Sequence, residues 1–204
     1  MPATRGTLRQ YGVAVRTLLV FTLLLGVLYP LVITGIGQLA LPGQANGSLV
    51  SMNGKTIGSA LIGQSFTDAS GKALPQWFQS RPSAAGSGYD AAASSGSNWG
   101  PENADLVAAI GSRQAAIEKS DGAALAAIPP DAVTASASGL DPHISPEYAR
   151  LQVNRVAEAR ALDPAAVAKL VESMIQGRDL GYLGEPTVNV LALNRALAGM
   201  DSKN

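Results

Sequence analysis

The stretch Thr17-Leu-Leu-Val-Phe-Thr-Leu-Leu-Leu-Gly-Val-Leu-Tyr-Pro-Leu-Val-Ile-Thr-Gly-Ile-Gly-Gln-Leu-Ala40 decides how this chain is built. No charged residue lies between Arg16 and Lys55. Residues 17–40 number 24; at about 1.5 Å each they extend roughly 36 Å as a helix, where a bilayer core of about 30 Å needs roughly 20 residues. The stretch reads as a transmembrane helix. A cleaved signal peptide is the alternative, and Gly43-Gln44-Ala45 offers a small-x-small site. The apolar region of a signal peptide is about 7–15 residues, shorter than this run, so an uncleaved anchor is expected. A lipoprotein is excluded because there is no cysteine to acylate.

The flanks orient the anchor. Arg5, Arg9 and Arg16 precede it with no acidic residue among them, and no Lys or Arg follows until Lys55. The positive-inside rule predicts a cytoplasmic tail over 1–16, a span over 17–40 and an extracytoplasmic domain over 41–204. All acidic residues, and all basic ones except those three arginines, lie beyond the span, so the outer domain is mildly acidic. Within the span, Thr22, Gly26, Tyr29, Ile33 and Gly37 recur at helical spacing on one face, with Pro30 and Thr34 beside it. Small residues on one stripe let another helix approach closely, and proline can kink the span. Gly26, Tyr29, Pro30, Thr34 and Gly37 are therefore the candidate helix-packing residues. The alternative is the general abundance of Gly and Pro in membrane helices.

Composition narrows the rest. The chain has 204 residues, 15 Lys+Arg balanced by 15 Asp+Glu, one histidine and no cysteine. Disulfides, thiolate metal sites and cysteine nucleophiles are excluded, as is a multi-histidine metal site. Balanced charge argues against a strongly basic nucleic-acid binder. Charged residues make up 15%, against about 25% in ordinary globular chains; the uncharged span accounts for part of the deficit.

The outer domain reads as mixed α/β (α+β). Asn53-Gly54 between Ser48–Met52 and Lys55–Gly58 is a strong hairpin signal, and Ala60–Phe66 reads as a further strand. Residues 67–100 are rich in Gly, Ser, Ala and Pro, yet carry Trp77, Phe78, Tyr89 and Trp99. An ordered irregular segment is expected there. A helix is predicted from Pro101 to about Lys119, with Leu106, Ala109, Ile110, Arg113 and Ile117 on one stripe. Pro129-Pro130 stops it, and Ala132–Ala135 reads as a short strand. Ser145-Pro146 and Asp163-Pro164 are cap-plus-proline starts, for helices to about Ala161 and Gln176. A strand over Thr187–Val190 and a helix over Leu191–Ala198, ending at Gly199, complete the pattern.

Phosphate-loop, dinucleotide, zincin and nucleophile-elbow motifs are absent. Gly177, Gly181 and Gly184 resemble a phosphate loop in composition only; a turn explains them as well. The densest polar cluster is Val133-Thr-Ala-Ser-Ala-Ser-Gly-Leu-Asp-Pro-His-Ile-Ser145, holding Ser136, Ser138, Gly139, Asp141 and the only histidine, His143. As an enzyme it would offer a nucleophile, an orienter and a base, but triad partners normally come from separate elements. A turn, with Ser and Asp bonding backbone and Gly139 taking an unusual angle, and a partner-facing surface are the other readings. On the following helix, Gln152 and Arg155 share a stripe with Tyr148. Arg155 is placed to pair with Glu158 or Asp141, or to lie on a solvated face.

These residues resemble the C subunit of the Kdp-type potassium-transporting ATPase of bacteria and archaea. The resemblance rests on Tyr29-Pro-Leu-Val-Ile-Thr34, Gly58-Ser-Ala-Leu-Ile-Gly-Gln-Ser-Phe66, Phe78-Gln-Ser-Arg-Pro-Ser83 and Ser97-Asn-Trp-Gly-Pro-Glu-Asn103. It continues through the 133–145 block, Gln152-Val-Asn-Arg-Val-Ala-Glu-Ala-Arg160 and Val188-Asn-Val-Leu-Ala-Leu-Asn194. It implies an inner-membrane complex with a channel-like potassium-binding subunit, a P-type ATPase subunit and a small single-span subunit. The family is described as a catalytic chaperone that raises the ATP affinity of the hydrolysing subunit. The D-K-T-G-T phosphorylation motif and a T-V-G-Y-G-like filter are absent here. The chain is thus expected to hold no tight cofactor, leaving ATP and potassium to its partners.

The predicted topology argues against direct ATP contact, because about 30 Å of hydrocarbon separates the outer domain from the cytoplasm. Coupling of about 1–3 kcal/mol through the assembly would still change affinity about 5–150-fold. Segments 75–101 and 133–145 are the expected contact surfaces, with Ser136, Ser138, Gly139, Asp141, His143, Gln152 and Arg155 as candidates. A membrane-anchored hydrolase using Ser138 and His143, and an anchored binding module, are the alternatives.

Overall fold

The computed structural model describes residues 4–201; residues 1–3 of the expected tail and 202–204 of the expected outer domain lie outside them. The chain divides into two compact units, one up to Leu49 and one from Val50 onward.

In the first unit, α1 (Thr4–Phe21), a π-helical segment (Thr22–Leu28) and α2 (Tyr29–Ala40) follow one another without a break. Within them, Thr7–Ala40, 34 residues, is long and apolar enough to cross a membrane. The π-helical turn departs from the plain helix expected. Its cause is Pro30: the ring crowds the carbonyl four residues back and offers it no N–H. Widening the preceding turn relieves this, and the Tyr29 N–H donates to Leu24 O, five residues back. Beyond Leu41, α3 (Pro42–Ala45) turns back on the helix end. Paired amides tie Asn46 to Gln38, Nδ2 to Oε1 at 2.9 Å and Nε2 to Oδ1 at 3.3 Å.

The expected hairpin forms from β1 (Leu49–Met52) and β2 (Lys55–Ser59), of which only Leu49 belongs to the first unit. Asn53 and Gly54 both have positive φ, 52° and 76°, as a tight two-residue hairpin turn requires. Residues 60–66 form a loop rather than the expected strand. Its backbone bonds laterally instead of in a ladder: Gly63 N donates to Leu140 O, and Ala60 O accepts from Asn189 Nδ2. Residues 67–103 carry no regular element but are ordered, and Phe78 is fully buried.

Helix α4 (Ala104–Asp121) starts later than Pro101, because Asn103 is the cap: its Oδ1 accepts from the amides of Asp105 and Leu106. A short α5 (Pro130–Val133) replaces the expected strand at 132–135, since Pro130 sits at the first helical position, where its missing N–H costs nothing. β3 (His143–Ile144) follows, then α6 (Pro146–Leu151) and α7 (Val153–Arg160), split at Gln152 where one uninterrupted helix was expected. The predicted caps form: Ser145 Oγ accepts from Tyr148 N, and Asp163 Oδ1 from Ala165 N, opening α8 (Pro164–Met174).

Strands β4 (Ile175–Gln176) and β5 (Thr187–Asn189) complete an antiparallel sheet ordered β3-β5-β4, with Ile144 and Ile175 both opposite Val188. The chain then enters α9 (Val190–Asp201), which runs through Gly199 rather than stopping there. The core lies between this sheet and α6–α9: Ile144, Val156, Val167, Val171, Val188, Leu193 and Leu197 are all buried. Each such side chain contributes about 1.5–3 kcal/mol by leaving water. The unit is α+β, one apolar cluster covered by short sheets and helices.

Candidate functional site

The 133–145 block is a hub for loops remote in sequence. Ser136 N donates to Pro82 O, Ser95 N to Ser138 O, and Ser83 Oγ to Gly139 O at 2.6 Å. Gly139 has φ +68°, and a Cβ there would meet Ser95 O at 2.6 Å and Ala85 N at 2.8 Å. Only glycine both adopts that angle and admits the neighbouring backbone.

Asp141 is the electrostatic centre of the block. Its Oδ2 lies 3.2 Å from Arg81 Nη1, its Oδ1 accepts from His143 N, and His143 Nδ1 stands 3.6 Å away. Burial raises the carboxyl pKa, but the hydrogen bonds from His143 and the charge of Arg81 outweigh it, holding Asp141 below the ordinary carboxylate range. Tyr89 leans on the same group, donating its hydroxyl to Arg81 O, and burial pushes its pKa up to about 12.

The hydrolase geometry is not assembled. Ser138 is exposed and its Oγ accepts from Leu140 N, while His143 faces Asp141. Among the described residues no hydrogen bond joins Ser138 to His143, so the nucleophile lacks a base. Nor does any group of three or more His, Asp or Glu side chains there converge to hold a metal.

Ser136 and Gln152 are interior residues rather than surface ones, with exposures of 2% and 0%. The Gln152 side chain accepts from Gln79 N at 2.6 Å and donates to Gln79 O at 3.3 Å, mimicking a strand partner. Asn194 of α9 does the same for Phe78, both bonds at 2.9 Å. Arg155 pairs with neither Glu158 nor Asp141. Its Nε donates to Asp121 Oδ1 at 2.7 Å, and its terminal nitrogens reach Pro75 O, Trp77 O and Gln152 Oε1. Arg160 donates to Gln76 O and lies 4.1 Å over the Trp77 ring. One face of α7 thus holds the irregular 75–79 strip by its backbone carbonyls. Beside it a cleft of about 630 Å³ lies among α4, residues 67–82 and α6–α7, with Arg113, Tyr148 and Arg155 on its walls.

In the long apolar helix, an added Cβ at Gly26 would touch only Thr22 Cγ2 at 3.8 Å, so that face is open. At Gly37 an added Cβ would make ordinary contact with Ala45 of its own chain at 3.6 Å, so that face is covered by α3.

Blocks quoted above from the second unit contribute most of this hub and strip, and the chain as a whole matches known proteins. The family described as KdpC, the K+-transporting ATPase c chain, matches residues 11–199. The chain belongs to this family. It is 52% identical over 195 residues to a Kineococcus radiotolerans protein named potassium-transporting ATPase KdpC subunit, covering 96% of each chain. A Caulobacter vibrioides protein of that name is 54% identical over 178 residues, 87% of this chain and 86% of its own. A third, from Methylococcus capsulatus, is 51% identical over 191 residues, 93% and 97% of the two chains. Of the candidates, Ser136, Ser138, Gly139, Asp141 and His143 lie in the hub and Gln152 and Arg155 hold the strip, while Arg81, Gln79, Asp121 and Asn194 were missed as partners. Their only signal was membership of the quoted blocks or, for Asp121, a place at a helix end.

Proposed function

We propose that this chain is a non-catalytic, membrane-anchored subunit of a potassium-transporting ATPase, with its folded domain on the outer face over the potassium entrance of a channel-like partner. There it stabilises the assembly and steers ion entry; ATP and potassium are handled by the other chains. The observation that carries this reading is how the polar residues of the signature blocks are used. Asp141, Ser83, Gln152 and Arg155 are engaged in holding loops to the core, which makes a rigid docking body rather than a reaction centre.

Arg9 and Arg16 before the span and the uncharged stretch after it support a cytoplasmic N-terminus. An influence on ATP affinity would then pass through the assembly as coupling between sites. The anchor joins the complex along the open face at Gly26.

The test is co-expression of the full set of ATPase chains with Gly26→Leu in this one. Partner chains recovered with the tagged subunit are expected to fall well below wild type, with apparent potassium affinity lowered in membranes. Unchanged recovery and affinity would overturn the packing role of the span.

A further inference from the structure

The loop between β4 and β5 ends in an apolar tip held out into solvent. Leu180, Tyr182 and Leu183 are 81%, 69% and 49% exposed. The tip is a built structure. Asp179 and Leu183 bond to each other through their backbones in both directions at 2.9 Å, and Arg178 pairs with Glu185 across its base. Leu180 itself lies in the left-handed region, φ +53°, next to Gly181 at +83°. A leucine there is strained. Gly181 and Gly184 have nothing within 4 Å of an added Cβ, so they serve the turn and not a close approach. Three large apolar side chains on a fixed projection mark a contact surface.

We propose that this tip seats in an apolar recess of another chain of the potassium-transporting ATPase, with a basic group of that chain facing Asp179. The proposal rests on the subunit reading above. Local charge selects the occupant. Glu185 neutralises Arg178, leaving Asp179 as the unbalanced charge of the tip. An anionic lipid surface disfavours such a tip, whose one cation, Arg178, is paired with Glu185 and which has none of the unpaired Lys and Arg of interfacial segments. A second copy across a two-fold axis would set Asp179 near its equivalent. A projecting Leu-Tyr-Leu cluster fits a concave partner pocket, where aromatic anchors carry much of the binding.

The chain has no cysteine, so Leu180→Cys and Tyr182→Cys each create a single thiol. Maleimide alkylation is measured on the full chain alone in detergent, alone in anionic lipid nanodiscs, and within the co-purified complex. Slowing of about tenfold or more in the complex only is expected, as for a site that must open before it reacts. Equal rates in all three overturn the proposal. Slowing in nanodiscs without partners also overturns it and makes lipid the occupant. Partner chains missing from the wild-type preparation overturn the subunit reading, and this proposal with it, whereas partners present with a freely reacting tip overturn the tip alone. Changing Leu180, Tyr182 and Leu183 together to Ser is expected to lower partner recovery about tenfold, converting a specific contact to a weak one, with the circular dichroism spectrum of the chain unchanged. Full recovery would refute it.

Discussion

Arg155 Nε and Asp121 Oδ1 stand 2.7 Å apart, in side chains only 9% and 5% exposed. The pair joins the last residue of α4 to the first half of α7, and the same guanidinium satisfies the carbonyls of Pro75 and Trp77. Removing one partner of a buried pair costs about 3–5 kcal/mol, because the other charge is left unpaired. Arg155→Ala is expected to reach the upper end and Asp121→Ala the lower, since only the first also strands two carbonyls. At roughly 2–4 °C per kcal/mol for a domain of this size, thermal melts of the full chain in detergent distinguish the two.

Gly139 and Gly63 are predicted to refuse alanine. Gly139 is in the left-handed region with backbone on two sides, and a Cβ at Gly63 would stand 2.5 Å from both Asp141 O and Tyr89 Cε1. Each substitution should cost at least about 2 kcal/mol, through overpacking at both and backbone strain at Gly139. Gly100→Ala meets nothing within 4 Å and should fall within about 0.5 kcal/mol of wild type. Urea midpoints make the comparison.

Asp141 should make the domain acid-sensitive. Its folded pKa lies below the ordinary value, so its contribution is fully present above the unfolded pKa, about 3.9. It is lost as pH falls through the folded pKa. Asp141→Asn is therefore expected to lower stability at pH 6, with the gap to wild type closing below about pH 4. Urea unfolding across pH 3–7 in about half-unit steps measures this. A gap independent of pH would show that the carboxylate charge contributes nothing.

Gln152 and Asn194 should govern protection of the 78–79 strip. Asn194→Leu removes both partners of Phe78, and leaving such groups unpaired costs about 1–3 kcal/mol each. Amide exchange at Phe78 is expected to accelerate far more than at Val171 in the core of α8. Uniform acceleration would mean the strip opens only with global unfolding.

The physics of locality separates what could be read early from what could not. Caps, the Asn53-Gly54 turn and the long uncharged span depend on neighbours in the chain, and were legible from Ser145, Asp163, Asn53 and residues 17–40. The π-helical turn ahead of Pro30 is also local, and marks proline's conflict with the carbonyl behind it. Residues 60–66 form no ladder strand because their backbone bonds to partners far along the chain, Gly63 N to Leu140 O and Ala60 O to Asn189 Nδ2. The candidate residues of the folded domain came from the polar cluster at 133–145 and the stripe on the helix after it, and the fold sorts them into buried clamps such as Gln152 and exposed loop groups such as Ser138.

The sequence alone determined the long apolar helix, the capped starts of α6 and α8, the family and the absence of familiar catalytic motifs, since each is written in contiguous residues. Only the tertiary structure decided that Gln152 faces Gln79, that Arg155 chooses Asp121 over Glu158, and that Leu180 and Tyr182 stand in solvent. Those outcomes depend on which chain segments share the interior, and a buried donor takes whichever acceptor the fold brings within about 3 Å.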